Sequence, residues 1–203
     1  MGPILYVETN FAIGIAKGQD PHSHRLLNEH DRLVRLIFPG VCYMEALKTL
    51  ERERKARNVF IDEHLSKQLR EMRRDRMSDH SSKLVAHLEG AITAARGSLS
   101  DFENSIQETL ERLAIEAETI PVDQRIVVAC IKSELTEDLA DGLILQCVLH
   151  HAQTIPDGPK AFLSANTRHF QNEDVTEALA KVGVRYFSSC AAAVGWLTSQ
   201  PGP

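Results

Sequence analysis

The sequence predicts an α/β fold, with a central parallel sheet covered by helices on both faces and a long helical insertion set into it. Three observations carry this. Short apolar runs alternate with helix-period segments at both ends of the chain. Between those ends, residues 59–118 read as helix throughout, with no strand pattern. The chain has 203 residues, 43% of them hydrophobic and 25% charged with both signs mixed, enough for a sizeable core and unlike a disordered segment. A single domain over 1–203 is expected, with its helical insertion at about 59–118.

Ile4 to Val7 is an apolar run followed by Thr9, Asn10 and a second apolar stretch from Phe11 to Ala16, which reads as strand, turn and helix ending near Gly18. Leu33 to Val41 holds the next apolar segment, with Pro39 and Gly40 near its end. Tyr43, Met44, Leu47 and Leu50 then recur at helical spacing, so Glu45 lies at a helix start. Within the insertion, Leu65, Leu69 and Met72 form one stripe. Leu84, Val85, Leu88 and Ile92 form a second, and Phe102, Ile106, Leu110 and Leu113 a third. Gly97 to Ser100 reads as a break, which predicts two or more long helices in a hairpin that projects from or packs on the α/β body.

The α/β rhythm resumes at Thr119 to Val122, a short strand or extended link. Asp123 is placed to cap a helix carrying Ile126, Val127, Cys130 and Ile131, and Asp138 to cap the next, carrying Leu143, Ile144, Cys147 and Val148. Ala161 to Leu163 reads as a buried strand. Asn172 caps a helix ending at Gly183, Val184 to Phe187 is the last strand, and Ser189 opens a terminal helix containing Trp196.

A net charge of −5 excludes binding nucleic acid through bulk positive charge, so any such binding needs local patches. Two runs qualify, Arg52, Arg54, Lys55 and Arg57, then Arg70, Arg73, Arg74 and Arg76, each within about two helical turns, although long solvated helices carry such runs too. Cys42, Cys130, Cys147 and Cys190 are far apart, form no CxxC pair and sit in apolar surroundings, which indicates neither zinc nor disulfides. No leader pattern or bilayer-spanning apolar run is present, so a cytoplasmic protein without a membrane partner is expected. His22 and His24 read as exposed loop residues. His150 and His151 read as helix-end residues that favour the dipole, and Trp196 as a packing residue.

Ligands of open parallel sheets bind beyond the carboxyl ends of the strands. Three carboxylates fall there: Glu8 directly after the first strand, Glu45 at the helix after the second, and Asp141 in the first turns of the helix before the Ala161 strand. Clustered carboxylates repel unless a cation neutralises them, and hard oxygen donors suit Mg²⁺ or Mn²⁺ rather than zinc. Two of them have an evident structural use, whereas Glu8, abutting a buried strand end, has few. Asp141 with Asp138 makes a cap and a dipole-favouring acid, and Glu45 serves as an exposed first-turn glutamate. Spacing alone does not decide between these uses.

"ILYVETNFAIGIA" resembles the opening of PIN domains, where a strand ends in an acidic residue followed by Thr-Asn and a helix, with Glu8 in place of the more usual aspartate. "FPGVCYMEAL" is similar to the family's second element and maps its glutamate onto Glu45. "DLADGLILQCVLHHA" resembles the third and maps its aspartate onto Asp141. "AFLSANTRHF" is similar to the fourth, a T-x-N-x-x-x-F variant, matching Ser164, Asn166 and Phe170, with Asn166 standing where other members have an aspartate. The four elements come in the family's order and cover about 110 residues at the two ends of the chain.

The resemblance implies a three-layer α/β/α sandwich and a Mg²⁺- or Mn²⁺-dependent endoribonuclease acting on RNA phosphodiesters. Glu8, Glu45 and Asp141 would hold the metal directly or through water, with Asp138 and Asp174 as further sources of negative charge. Asn166 would join the catalytic set as a neutral residue that orients water or a phosphate oxygen. Asn10 and Ser164 would support the carboxylates, and the Arg52, Arg54, Lys55 and Arg57 helix would track the RNA. An antitoxin protein and a second copy of the chain are the partners the family implies beside RNA. Two competing readings stand next to this one. The first is a catalytically weakened RNA-binding or scaffold module, to which the changes at Glu8 and Asn166 point. The second is a phosphatase or nucleotide hydrolase on another doubly wound sheet, for which no GxxxxGK[ST] loop is present.

Overall fold

Ile4–Val7 forms β1, and every one of its side chains is buried, as a strand covered on both faces requires. The computed structural model describes residues 2–74, 78–155 and 158–200, apart from the side chains of 30–33. Arg76, part of the second basic run, lies outside them. In chain order β1 is followed by α1 (Thr9–Ala16), α2 (Pro21–Leu33), β2 (Arg35–Pro39) and α3 (Gly40–Val59). A π-helical stretch (Phe60–Leu65), α4 (Ser66–Met72) and α5 (Asp79–Glu116) follow. The remaining elements are β3 (Glu118–Ile120), α6 (Gln124–Lys132), α7 (Leu139–Thr154), β4 (Lys160–Leu163), α8 (Thr167–Phe170), α9 (Glu173–Lys181), β5 (Val184–Phe187) and α10 (Cys190–Thr198). The chain divides into two compact units, Met1–Ala46 with Ile106–Pro203, and Leu47–Ser105.

The first unit holds one five-stranded sheet in the order β3-β2-β1-β4-β5, parallel throughout. With its helices on both sides it is the expected three-layer α/β/α sandwich. Tyr6 pairs with Ile37 and Phe162, and Phe162 with Tyr186, so the carboxyl ends of β1, β2, β4 and β5 come out along one edge. Leu5, Ile37, Phe38, Ala161 and Phe162 are fully buried along the middle strands, where apolar burial supplies most of the driving force. Gly183 turns the chain from α9 into β5 at φ +73°, a conformation that favours glycine.

Several local readings are corrected here. His22 and His24 are exposed but helical: Asp20 begins α2 by accepting the His22 N–H at 2.8 Å, and Pro21 sits at the first helical position, where its missing N–H costs nothing. On α3, Met44 (59% exposed) and Leu47 (48%) face outward while Cys42, Ala46 and Leu50 are buried, so the core stripe follows an i, i+4 row one step off the predicted one. On α6, Ile126 and Cys130 are buried, but Ile131 is exposed. His151 does more than favour a helix dipole. It is half-buried, its Nε2–H donates to Glu118 at 3.1 Å, and in the neutral ring Nδ1 accepts from the Tyr6 hydroxyl at 3.0 Å. Arg35 pairs with the same Glu118. Trp196 packs on Phe187 at 5.5 Å between ring centroids, as expected.

In the second unit, Ile61, Leu69 and Ile92 form a small core with Leu65, Val85, Leu88 and Ala95 packed against it, so two of the predicted stripes meet, without the exposed Leu84. α5 runs unbroken through Gly97–Ser100. One helical glycine costs about 1 kcal/mol, less than the burial of Ile92, Leu99 and Phe102 on either side of it contributes. The basic residues are partly neutralised by their neighbours. Arg54 bonds Glu103 at 2.5 Å, Arg57 lies 5.1 Å from the centre of the Phe102 ring, and Arg73 bonds Glu89 at 2.6 Å. Arg52 and Lys55 are exposed. No helix among the described residues is long and apolar enough to cross a membrane.

Candidate active site

Glu8 leaves β1 at the sheet's carboxyl edge and serves as the N-cap of α1, its Oε2 accepting the Asn10 N–H at 2.7 Å. The side chain is only 3% exposed, and its Oε1 has no hydrogen-bond partner. Burial pushes the Glu8 carboxyl up to about 7. The Asn10 amide and Ser164 hydroxyl oppose that shift, and the charges of Glu45 and Asp141 add to it. Asn10 therefore supports Glu8 through its backbone, while its own side chain is exposed.

Glu45 lies half-buried on α3 and accepts a short hydrogen bond from the Thr9 hydroxyl, which ties the helix after β2 to the turn after β1. Asp141 stands in the first turn of α7, 8% exposed. Asp138 caps that helix, accepting the N–H groups of Ala140 at 2.8 Å and Asp141 at 3.2 Å. Gly142 lets α7 sit close to its neighbours, since a Cβ there would lie 3.0 Å from Thr136 Oγ1 and 3.1 Å from Cys130 Sγ. Burial raises the Asp141 carboxyl above its ordinary value, opposed by His169 and the Asn166 amide and reinforced by Asp138 and Glu45.

Removing the cap in Asp138→Ala is expected to cost about 1 kcal/mol of stability, offset in part because one repulsive neighbour of Asp141 disappears. The shift in urea midpoint measures it, and an unchanged midpoint would mean that the cap contributes no more than its repulsion of Asp141 takes away.

Asn166 and Ser164 meet the site from the end of β4. Asn166 Nδ2 donates to Asp141 Oδ2 at 3.0 Å, and its own N–H is held by Ser164 Oγ at 3.0 Å. The Tyr186 hydroxyl in turn donates to the Ser164 carbonyl at 2.8 Å. Three residues missed in the sequence take part here: Thr9, Tyr186, and His169, whose Nδ1 is 3.6 Å from Asp141 Oδ2. The Thr-Asn pair and the "TRHF" run carried the first and last of these in plain view, but neither residue type says which carboxylate it will meet.

The structure thus brings Glu8, Glu45 and Asp141 within electrostatic reach of one another, with Asp138 beside Asp141. Asp174 is an exposed first-turn residue of α9, and no hydrogen bond or ion pair among the described residues joins it to the three. Among the described residues, no group of three His, Cys, Asp or Glu side chains stands close enough to enclose a metal ion by itself. Beside Glu8 a cavity of about 470 Å³ opens between α1, the start of α2 and the β5–α10 turn. Cys190 lies on its wall, half-buried with its thiol drawn to Asp20, and so departs from the apolar setting expected of all four cysteines.

No curated protein matches the chain. The sheet order, the acids at its carboxyl edge and a match to the PIN domain family model over residues 5–170 agree, and the chain belongs to the PIN domain family.

Proposed function

We propose that the chain is a Mg²⁺- or Mn²⁺-dependent endoribonuclease that hydrolyses RNA phosphodiester bonds, with Glu8, Glu45 and Asp141 as its metal-holding carboxylates. One observation carries this reading. A fully buried glutamate, with one oxygen unpartnered, faces two further carboxylates at the edge where parallel sheets bind ligands. Membership of a family of nucleases supports it. An all-oxygen donor set fits a hard divalent cation, and since no three acids enclose one directly, part of the coordination would run through water. Such a cation supplies an activated water and stabilises the charge that develops on phosphorus.

The chain's own groups orient this chemistry. Asn166 fixes Asp141 through Oδ2, Thr9 fixes Glu45, and the Asn10 N–H fixes Glu8, so each carboxylate is turned before substrate arrives. Asn166 brings no charge, so negative charge beyond the three acids would come from Asp138, with Asp174 more remote. Arg52, Arg54, Lys55 and Arg57 are the candidates for contacting RNA phosphates. On this reading, a toxin's role opposite an antitoxin protein and self-association as a homodimer are the partnerships to look for.

The test is cleavage of a broad RNA panel with Mn²⁺ or Mg²⁺, with chelator and with Asp141→Asn as controls. Metal-dependent cutting that Asp141→Asn lacks is the expected result. A wild-type protein that leaves every RNA as intact as the variant does would sink the reading. The alternative, an RNA-binding or scaffold module with weakened catalysis, draws on the neutral Asn166 at Asp141. Calorimetry separates the two, because tight Mn²⁺ binding lost in Glu45→Gln counts against the scaffold.

A further inference from the structure

The cavity beside Glu8 adjoins the acidic site without coinciding with it, since Glu8 lines it but neither Glu45 nor Asp141 does. At about 470 Å³ it falls within the range of roughly 300–1,000 Å³ typical of small-ligand sites. No Lys or Arg is among the described residues that line it, so it is not built for a phosphate. Its polar groups mix an acceptor, Asp20, with the amides of Asn10 and Gln19 and the hydroxyls of Ser23 and Ser188, while Phe11 contributes an apolar aromatic surface. Glu8, buried with an unpartnered Oε1, forms the wall shared with the acidic site. Ribose hydroxyls and the imino and amino groups of bases are the donors that such a lining accepts, and unstacked bases in RNA are commonly read against aromatic rings.

We propose that this cavity seats one unstacked ribonucleoside of the RNA strand, with the neighbouring phosphate left outside at the carboxylates. The inference deepens the ribonuclease reading and rests on it for the identity of the strand. It assigns the cavity a selective role: the nucleoside that fits there sets where the strand is cut.

Gly14 allows a clean test. It lies in α1 and lines the cavity, and a Cβ added there would meet nothing within 4 Å. Leucine is also a better helix former than glycine, so Gly14→Leu fills the cavity while favouring α1. Binding of adenosine, cytidine, guanosine and uridine to the metal-free protein is followed by ligand-observed NMR, with inorganic phosphate as the control. At least one ribonucleoside is expected to bind in the millimolar range, to resist competition by phosphate, and to bind about tenfold more weakly to Gly14→Leu. Asp20→Asn, which keeps a residue able to cap α2, is the second variant and is expected to weaken the same nucleoside.

No binding of any ribonucleoside to the wild type overturns the inference. So does binding that is equal in wild type and Gly14→Leu, or, if that variant does not fold, equal in wild type and Asp20→Asn. Metal-dependent RNA cleavage without nucleoside binding removes the cavity's role and leaves the ribonuclease reading standing. Nucleoside binding without cleavage leaves the cavity as a nucleoside site and removes the ribonuclease reading, and with it the role in choosing where a strand is cut.

Discussion

Glu8→Gln is expected to stabilise the metal-free protein at pH 8 by about 3 kcal/mol while reducing metal-dependent RNA cleavage by at least about a hundredfold. The stability half follows from burial. Glu8 holds its proton up to about pH 7 in the folded chain, against an ordinary value of 4.5. The folded state therefore binds more protons than the unfolded state between those values. The contribution of this group is present in full below about pH 4.5 and is lost as pH rises through about 7. Asp141 is shifted in the same direction and adds to the slope.

Glutamine fills the same space without ionising, so the variant's stability should fall much less between pH 5 and 8 than that of the wild type. Urea titrations at both pH values, in chelator, provide the comparison. Equal slopes for the two proteins would mean that Glu8 ionises freely in the folded state. The cleavage half rests on the proposed function, because a neutral amide cannot offset the charge of a cation. A variant that gains stability and keeps full cleavage would remove Glu8 from the metal set. Few substitutions predict a gain in one property from the same cause as a loss in the other. Active sites retain such destabilising groups when function needs them.

The second large effect lies in the sheet. Phe162→Ala is expected to cost about 3–5 kcal/mol, the range for emptying a buried aromatic position. Phe162 has no exposed surface. Its ring meets Phe170 edge to face at 5.1 Å and lies 6.2 Å from Tyr186. The loss reaches the site as well, because β4 leads straight to Ser164 and Asn166, and Phe170 anchors the short helix that carries His169. The difference in unfolding free energy between wild type and variant measures it, and a cost below about 1 kcal/mol would show that this aromatic cluster is loosely packed.

Much of this was legible from periodicity and capping. β1, β4, β5 and the caps at Asp123, Asp138, Asn172 and Ser189 lie where apolar runs and hydrogen-bonding side chains placed them. The errors share a cause: the decisive partner is distant in sequence. Nothing near Gly97 reveals that its helix continues, because the burial that holds it involves residues on other elements. His151 could not be read as a partner of Tyr6, 145 residues away. α2 was overlooked because its polar, histidine-rich start masks the period of Leu26 and Leu27. For the site, the carboxylates were found by their places at strand ends and by resemblance. Their supporting neighbours Thr9, Tyr186 and His169 emerge only when five separate segments come together.

The strand order has a consequence for synthesis. β1 is made first, yet one of its two sheet neighbours, β4, ends at Leu163. Until that strand has left the ribosome and inserted beside β1, Asn166 cannot reach Asp141 and Glu8 is not enclosed. If the proposed ribonuclease reading holds, a chain still lacking β4 has no assembled site with which to cut RNA. The candidate site is thus a product of long-range strand pairing, complete only when β4 closes the middle of the sheet.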